Sequence, residues 1–470
     1  MATINDLTFT LLEEGSGYSV KATDASTISG ALEIPEIYNG FPVKTIGYQA
    51  FFDCHSLTSI TIPSSVTSIG EGAFFNCFNL TSVTIPLNSV MVIGDSAFRG
   101  CSGLTSITIP SFVKSIGNLT FYDCTSLTSI TIPPLVKSIG SRAFYGCTSL
   151  TSIEIPSSVK SIGYGAFTYC KGLISITIPS SVTSIENSVF SRCSSLTSIT
   201  IPSSVTTIGD SAFSDCTSLT SIIIPYSVTS IGYGAFKGCE SVTSVTVESG
   251  NDVYHSDGNC CIETSTNTLV FGCMSSIIPD YVTTIQKSAF SRCTGLTSIT
   301  IPSSVTTIGI NAFYGCTGLT SIEIPSSVTS IPETAFLSCT NIKSVTIPSS
   351  VISIGASAFM DCIKLTSITI PSSVRSIKRD AFRDCTGLTY FKFEGDSIEE
   401  SSDVFYNTGS LKHIYVNADS TGWSKTWCGK PVVALGRVGN TVKYGETPLI
   451  KINLGEITIY SMFIGDDQLF

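Results

Sequence analysis

Between Leu57 and Cys77 the apolar positions fall in a fixed order: Leu57, Ile60, Ile62, Val66, Ile69, Ala73, Phe74 and Cys77, with serine, threonine and glycine filling most of the gaps. Ile60 and Ile62, on either side of Thr61, keep the period of two that marks a strand buried on one face. Pro63 has no N–H to offer a ladder and ends that strand. Gly70 turns the chain on the far side, and the following GAFFNC is long enough for one helical turn or a loop.

The same order returns along most of the chain. Cys54, Cys77, Cys101, Cys124, Cys147, Cys170, Cys193, Cys216 and Cys239 are 23 residues apart except for one step of 24, and Cys293, Cys316, Cys339, Cys362 and Cys385 continue at 23. The extra residue lies in PLNSVMVIG and predicts a local bulge. The 54 residues from Cys239 to Cys293 resolve, through SIIPDYVTTIQKSAF, into a coil of 31 and one of 23, with Val270 in the cysteine's place. A period in this range predicts a solenoid whose units cannot close a core alone and hold together by their interfaces. With aligned strands ~4.8 Å apart, roughly 16 coils predict a rod about 75 Å long.

The phrase Cys-x-x-Leu-x-x-Ile-x-Ile-Pro-x-x-Val-x-x-Ile-Gly-x-x-Ala-Phe resembles the 23-residue leucine-rich repeat of BspA-like surface proteins, over about residues 28 to 420. The resemblance implies an α/β-type repeat solenoid dominated by short β-strands, a right-handed leucine-rich-repeat superhelix. On it the chain divides into an N-terminal cap (1–33), a first array (34–239), an extended coil (240–270) similar to the one that interrupts such arrays and expected as a hairpin protruding from the rod, a second array (271–408), a C-terminal cap (409–436) and a small β tail (437–470). It also implies adhesion or protein binding, and no catalytic residues.

Composition narrows the partners. With 42% hydrophobic and 13% charged residues, the chain can fill a large core and must cover it mostly with hydroxyls. A net charge of -10 and a pI near 4.9 give no basic footprint of the kind nucleic acid or an anionic membrane demands. No run of 18 apolar residues predicts membrane insertion, and MATINDLTFTLLEEGSG does not read as a secretion signal.

Eighteen cysteines raise the question of disulfides. Equivalent residues of stacked coils point the same way, so the register predicts a column of buried thiols instead, with Thr408 in that slot in the last coil. Cys260, Cys261 and Cys273 lie off the register near His255. Adjacent cysteines do not supply the paired spacing of a zinc site, so no metal is expected. Cys273 falls at the Leu57 position and reads as core, and a disulfide of Cys260 or Cys261 stays open. His55, His255 and His413 fall in different coils, and no acidic pair recurs, which predicts neither an enzyme nor a cofactor. Trp423 and Trp427 have two readings, a sugar platform or a plug for the open end of the core.

Two surfaces are candidates for binding. One is the outward column of the strand face, Thr131, Glu154, Thr177, Thr200 and Ile223, part of a ladder that also includes Ser59, Thr61, Ser82 and Thr84. Threonine also simply suits an exposed strand, and a third reading makes the ladder an ice- or crystal-binding plane. The other is the variable edge around IGxxAFxxC, where Arg142, Tyr145, Tyr164, Tyr169 and Arg192, with Arg99, Tyr122, Tyr233 and Lys237, supply the residue types of binding hot spots.

Beyond the cap, Gly445, Gly455 and Gly465 are ten residues apart, each followed by an acid, and read as turns between three short strands that pair with another chain or copy. This tail resembles the tandem LGD repeats near the ends of bacteriophage virion proteins. The combined expectation is a non-enzymatic adhesion protein on a phage particle, at the virion surface. Its rod would meet a host-surface protein or glycan, and its tail would meet virion proteins or form a homo-oligomer, a trimer by analogy. The alternative is an extracellular or cell-surface adhesin of a bacterium or protist.

Overall fold

The two apolar pairs of each repeat, around SIT and at SIG, become two short strands per coil. The computed structural model describes residues 3–435 and two further strands, Leu449–Leu454 and Ile457–Met462. It divides into two units, Met1–Ser256 and Asp257–Phe470, and each is a β-solenoid of short strands.

In the first unit the strands of successive coils pair in parallel and in register. Ser106, Ile107 and Thr108 face Ser129, Ile130 and Thr131, and Ile116 faces Ile139 on the second ladder. An antiparallel hairpin, Leu7–Leu11 with Tyr18–Ala22, starts the second ladder by pairing in parallel with Phe41–Ile46. The 24-residue coil rejoins the register, with Ile69 opposite Ile93. Ile60, Ile62, Val66, Ile69, Ala73, Phe74 and Cys77 are all buried, as the polarity pattern predicts. From Phe51 to Phe236 the phenylalanines form one column of near-parallel rings, with centroids 5.3–5.6 Å apart.

The helical part of the expected α/β solenoid is missing. Among the described residues only Ile4–Asp6 and Glu13–Gly15 are helical, both 3-10 turns. The IGxxAFxxC segments are turns because their backbone bonds alternate between the coil and its neighbour. The Phe74 N–H donates to Ala97 O at 2.8 Å, whereas the Phe75 N–H donates to Gly72 O at 3.0 Å. Two left-handed residues per coil, such as Gly72 and Asn76 with φ of 59° and 61°, prevent a helical turn from propagating.

The second unit begins differently from the sequence reading. The hairpin formed by Cys260–Glu263 and Thr268–Phe271 does not protrude: Cys260, Cys261, Ile262 and Leu269 are buried. Its apolar CCI and LVF segments take the first place in the second-strand ladder, so that Leu269 stacks on Ile285. Val270 therefore lies in this strand instead of continuing the cysteine column. Gly272 lies under the first ring of the new phenylalanine column, where a Cβ would meet the Phe290 ring at 2.2 Å. That column runs from Phe290 to Phe382, with centroids 5.3–5.4 Å apart. Phe391, Phe393 and Phe405 then pack on Trp427, which is buried and donates to Ile398 O at 3.1 Å, while Trp423 donates to Gly395 O at 3.2 Å. Both indoles thus belong to the plug of the core, not to an open platform.

The tail strands Leu449–Leu454 and Ile457–Met462 pair antiparallel with each other. The turns expected at Gly445, Gly455 and Gly465 lie outside the described residues.

Candidate functional site

The cysteine column is structural. From Cys77 to Cys239 and from Cys316 to Cys385, each thiol of the column donates to the carbonyl of the preceding coil's phenylalanine, Cys77 to Phe51 O at 3.0 Å and Cys147 to Phe121 O at 3.1 Å, for example. Burial pushes Cys54 up to about 12, with the Asp53 charge adding to it, and pushes Cys147 and Cys170 well above their ordinary value, so these thiols remain protonated. Thr408 fills the slot in the last coil and donates to Phe405 O at 2.6 Å. The described cysteines are free thiols, Cys260, Cys261 and the buried Cys273 included. Among the described residues no cluster of three or more His, Cys, Asp or Glu is placed to hold a metal, and no helix is long and apolar enough to cross a membrane.

The strand-face column is assembled in register from Thr131 to Thr200. Thr131 is in register with Glu154, Glu154 with Thr177, and Thr177 with Thr200, while Ile223 stands opposite Thr246; all five candidates are exposed. The neighbouring threonine column is occupied internally: Thr128 donates to Thr105 O and Thr220 to Thr197 O. Much of the hydroxyl cover therefore satisfies backbone carbonyls and is not free for a ligand.

The variable edge is more specific. Residues two positions before successive cysteines line up as Phe52, Phe75, Arg99, Tyr122 and Tyr145, and the row passes to Tyr169, Arg192 and Asp215, one position before theirs. The Arg99 guanidinium lies between two rings, 4.7 Å from the Phe75 centroid and 5.1 Å from that of Tyr122. Tyr122 and Tyr145 stack at 4.6 Å and 2°, and Tyr145 meets Tyr169 at 5.3 Å. Arg192 covers the Tyr169 ring at 4.7 Å, donates from Nη1 to its hydroxyl, and approaches Asp215 at 3.5 Å. Arg142 and Tyr164 form a separate pair at 5.1 Å. Partial burial, and then the charges of Tyr122 and Asp123, raise the Tyr145 phenol above its ordinary value. Phe52, Phe75 and Asp215 extend the row beyond the sequence candidates, and the count back from each cysteine was the signal that would have found them.

Because neighbouring rings cover one another's faces along the stack, the row offers edges, hydroxyls and guanidinium groups to a partner. Its backbone is informative as well. Tyr169, Arg192 and Arg142 have φ of 63°, 62° and 53°, in the left-handed region. Most positions equivalent to Tyr169 and Arg192 in other coils carry residues that tolerate that conformation, such as Asn76, Asp123 and Gly146, while Arg292 repeats the arginine in the second unit with φ of 59°. Bulky side chains there signal positions occupied for what they present.

The family model for the BspA type leucine rich repeat region, in six copies, matches residues 30–151, 137–260, 270–389 and 308–426. Among solved structures, a leucine rich cell surface protein from Faecalibacterium prausnitzii is 32% identical with a TM-score of 0.55, over 83% of this chain and 94% of that one. A leucine-rich repeat protein from Bacteroides ovatus is 29% identical with a TM-score of 0.51, over 89% and 94%. Among curated proteins nothing matches the chain.

Proposed function

Since this chain belongs to the BspA-type leucine-rich repeat family, we propose that it is a non-enzymatic, surface-displayed adhesin that binds a host-surface protein or glycan through the Arg–Tyr edge of residues 1–256. The observation that carries the reading is the row from Phe75 to Asp215, with Tyr169 and Arg192 held in left-handed backbone where most other coils place Asn, Asp or Gly. Family membership also supports a right-handed sense for the coils. Purified chain should bind intact host cells and at least one ligand on an array of immobilised proteins and glycans. Binding to none of these would sink the proposal.

Display on a bacteriophage particle is a second reading, and the Gly–acid phrases at Gly445, Gly455 and Gly465 are what favour it. Here the tail would join virion proteins or make a homo-oligomer. Solution mass of the full chain beside a version ending at Leu435 tests it: an oligomer that becomes monomeric on truncation supports assembly through the tail, and two monomers remove it.

A further inference from the structure

A different face of the first unit departs from the repeat in a coordinated way. In most coils a serine eleven residues after the cysteine donates to the carbonyl of the preceding coil's valine: Ser158 to Val136 O at 2.6 Å, Ser204 to Val182 O at 2.7 Å, Ser227 to Val205 O at 2.6 Å. Two successive coils place Phe112 and Leu135 in that column, and both are exposed, at 46% and 43%. They give up a recurring hydrogen bond and leave a large apolar side chain in water. Leu87, in the coil before, is 55% exposed, and its carbonyl accepts from the Ser111 N–H at 3.0 Å, which places it beside Phe112.

Two residues further along the same strand edge, the column held elsewhere by Thr67, Thr183, Thr206 and Thr229 carries Lys114, Lys137 and Lys160. Their backbones pair directly, Lys137 N–H to Lys114 O and Lys160 N–H to Lys137 O, both at 2.8 Å. The three ammonium groups therefore rise from aligned strands roughly 4.8 Å apart, a repulsive arrangement that an anionic partner relieves. All three are exposed, and none makes an ion pair among the described residues. Residues 99–192 hold seven basic and three acidic side chains in a chain whose net charge is -10.

We propose that this edge docks an extended acidic segment of another protein, with apolar side chains seated on Leu87, Phe112 and Leu135 and carboxylates along Lys114, Lys137 and Lys160. The proposal rests on the reading of the chain as a binding protein and gives it a second contact surface, apart from the Arg–Tyr edge. Apolar anchors beside a charged rim are the composition of a protein-binding site, and the pattern of like charge selects the sign of the partner. An alternating Glu–Leu strand fits because its side chains leave on two faces, so that it lays one chemistry on each half of the edge.

The test uses the full chain and a labelled peptide in which glutamate alternates with leucine, read by fluorescence anisotropy. Two variants restore residues that the repeat itself uses, K114T/K137T/K160T and F112S/L135S, and a thermal melt confirms that each remains folded. The expected result is binding by the unmodified chain, weaker by about tenfold or more in each variant, weaker again as salt rises, and absent for a peptide alternating lysine with leucine. Equal binding by the variants, or no binding by the unmodified chain, overturns the proposal. So does binding only to phosphatidylglycerol vesicles, a sulfated polysaccharide or DNA, which would assign the lysines to another class of partner. Cell binding measured in parallel separates the two readings: cell binding without peptide binding ends this proposal alone, whereas loss of all cell and array binding ends the adhesin reading.

Discussion

Replacing Tyr169 and Arg192 together by asparagine tests whether the Arg–Tyr edge exists for binding or for stability. A left-handed backbone costs a bulky residue about 1 kcal/mol or more, and asparagine tolerates it, so two such relaxations return roughly 2 kcal/mol. Against this, the variant loses the Arg192–Tyr169 cation–π contact, about 0.5–1 kcal/mol at an exposed site, and the Tyr145–Tyr169 ring contact of similar size. The ion pair of Arg192 with Asp215 is half-exposed on the arginine side and contributes about 0–1 kcal/mol. Removing both partners of the hydroxyl–guanidinium bond leaves neither one stranded. These terms nearly cancel, and the melting temperature should stay within about 3 °C of the unmodified chain. Binding should not stay. Two hot-spot residues at about 1.5 kcal/mol each correspond to a loss of roughly a hundredfold or more in affinity. The assay pairs a circular-dichroism melt with cell binding over a concentration series. A melt lowered by more than about 5 °C with binding intact would show that the row supports the fold, and the reasoning from backbone strain would be refuted.

Three other outcomes follow from the packing. F112S/L135S should raise the melting temperature, because each hydroxyl regains a carbonyl of the preceding coil for about 1 kcal/mol and removes an exposed apolar group; a lower melt would contradict this. Trp427→Ala should destabilise the second unit by about 3–5 kcal/mol, as it empties the plug against Phe391, Phe393 and Phe405, measured by urea denaturation. Stability should fall with rising alkalinity: in the unfolded chain the thiols ionise from their ordinary value of 9.0, whereas burial keeps Cys54, Cys339 and Cys385 protonated to about 12, so the unfolded state binds fewer protons in between. The contribution is complete below pH 9 and is lost from there to pH 12 at about 1.4 kcal/mol per pH unit for each buried thiol, and melts that do not fall between pH 8 and 10.5 would argue against it.

The core was legible because one residue type at one spacing reports a fixed slot: the order from Leu57 to Cys77 places every buried side chain of its coil. The extended coil was less so. Counting from cysteines put Val270 in the column, but the apolar runs in Cys260–Glu263 and Thr268–Phe271 demand burial on both faces of a hairpin, and pairing with Thr284–Ile285 helps to satisfy it. Helix was a reasonable expectation for GAFFNC by length alone. Of the two left-handed positions per coil that forbid it, only the one before the cysteine shows in the sequence, as a recurrence of Gly, Asn and Asp; the earlier one carries residues as different as Gly72, Ser96, Leu119 and Arg142.

The same logic locates the candidate surfaces. In a repeat protein each column carries its own local standard, so a side chain can be judged against the others that hold the same backbone geometry. Tyr169 and Arg192 break a conformational standard, Phe112 and Leu135 break a hydrogen-bonding one, and Lys114, Lys137 and Lys160 break an electrostatic one. Net charge concealed the last of these, since an acidic total of -10 averages over a locally basic stretch. Each departure costs the fold something that the neighbouring coils avoid. Because the departures occur on consecutive coils, stacked in space by the ladder, their costs fall on the same surfaces, which is the arrangement expected when binding, rather than folding, maintains those side chains.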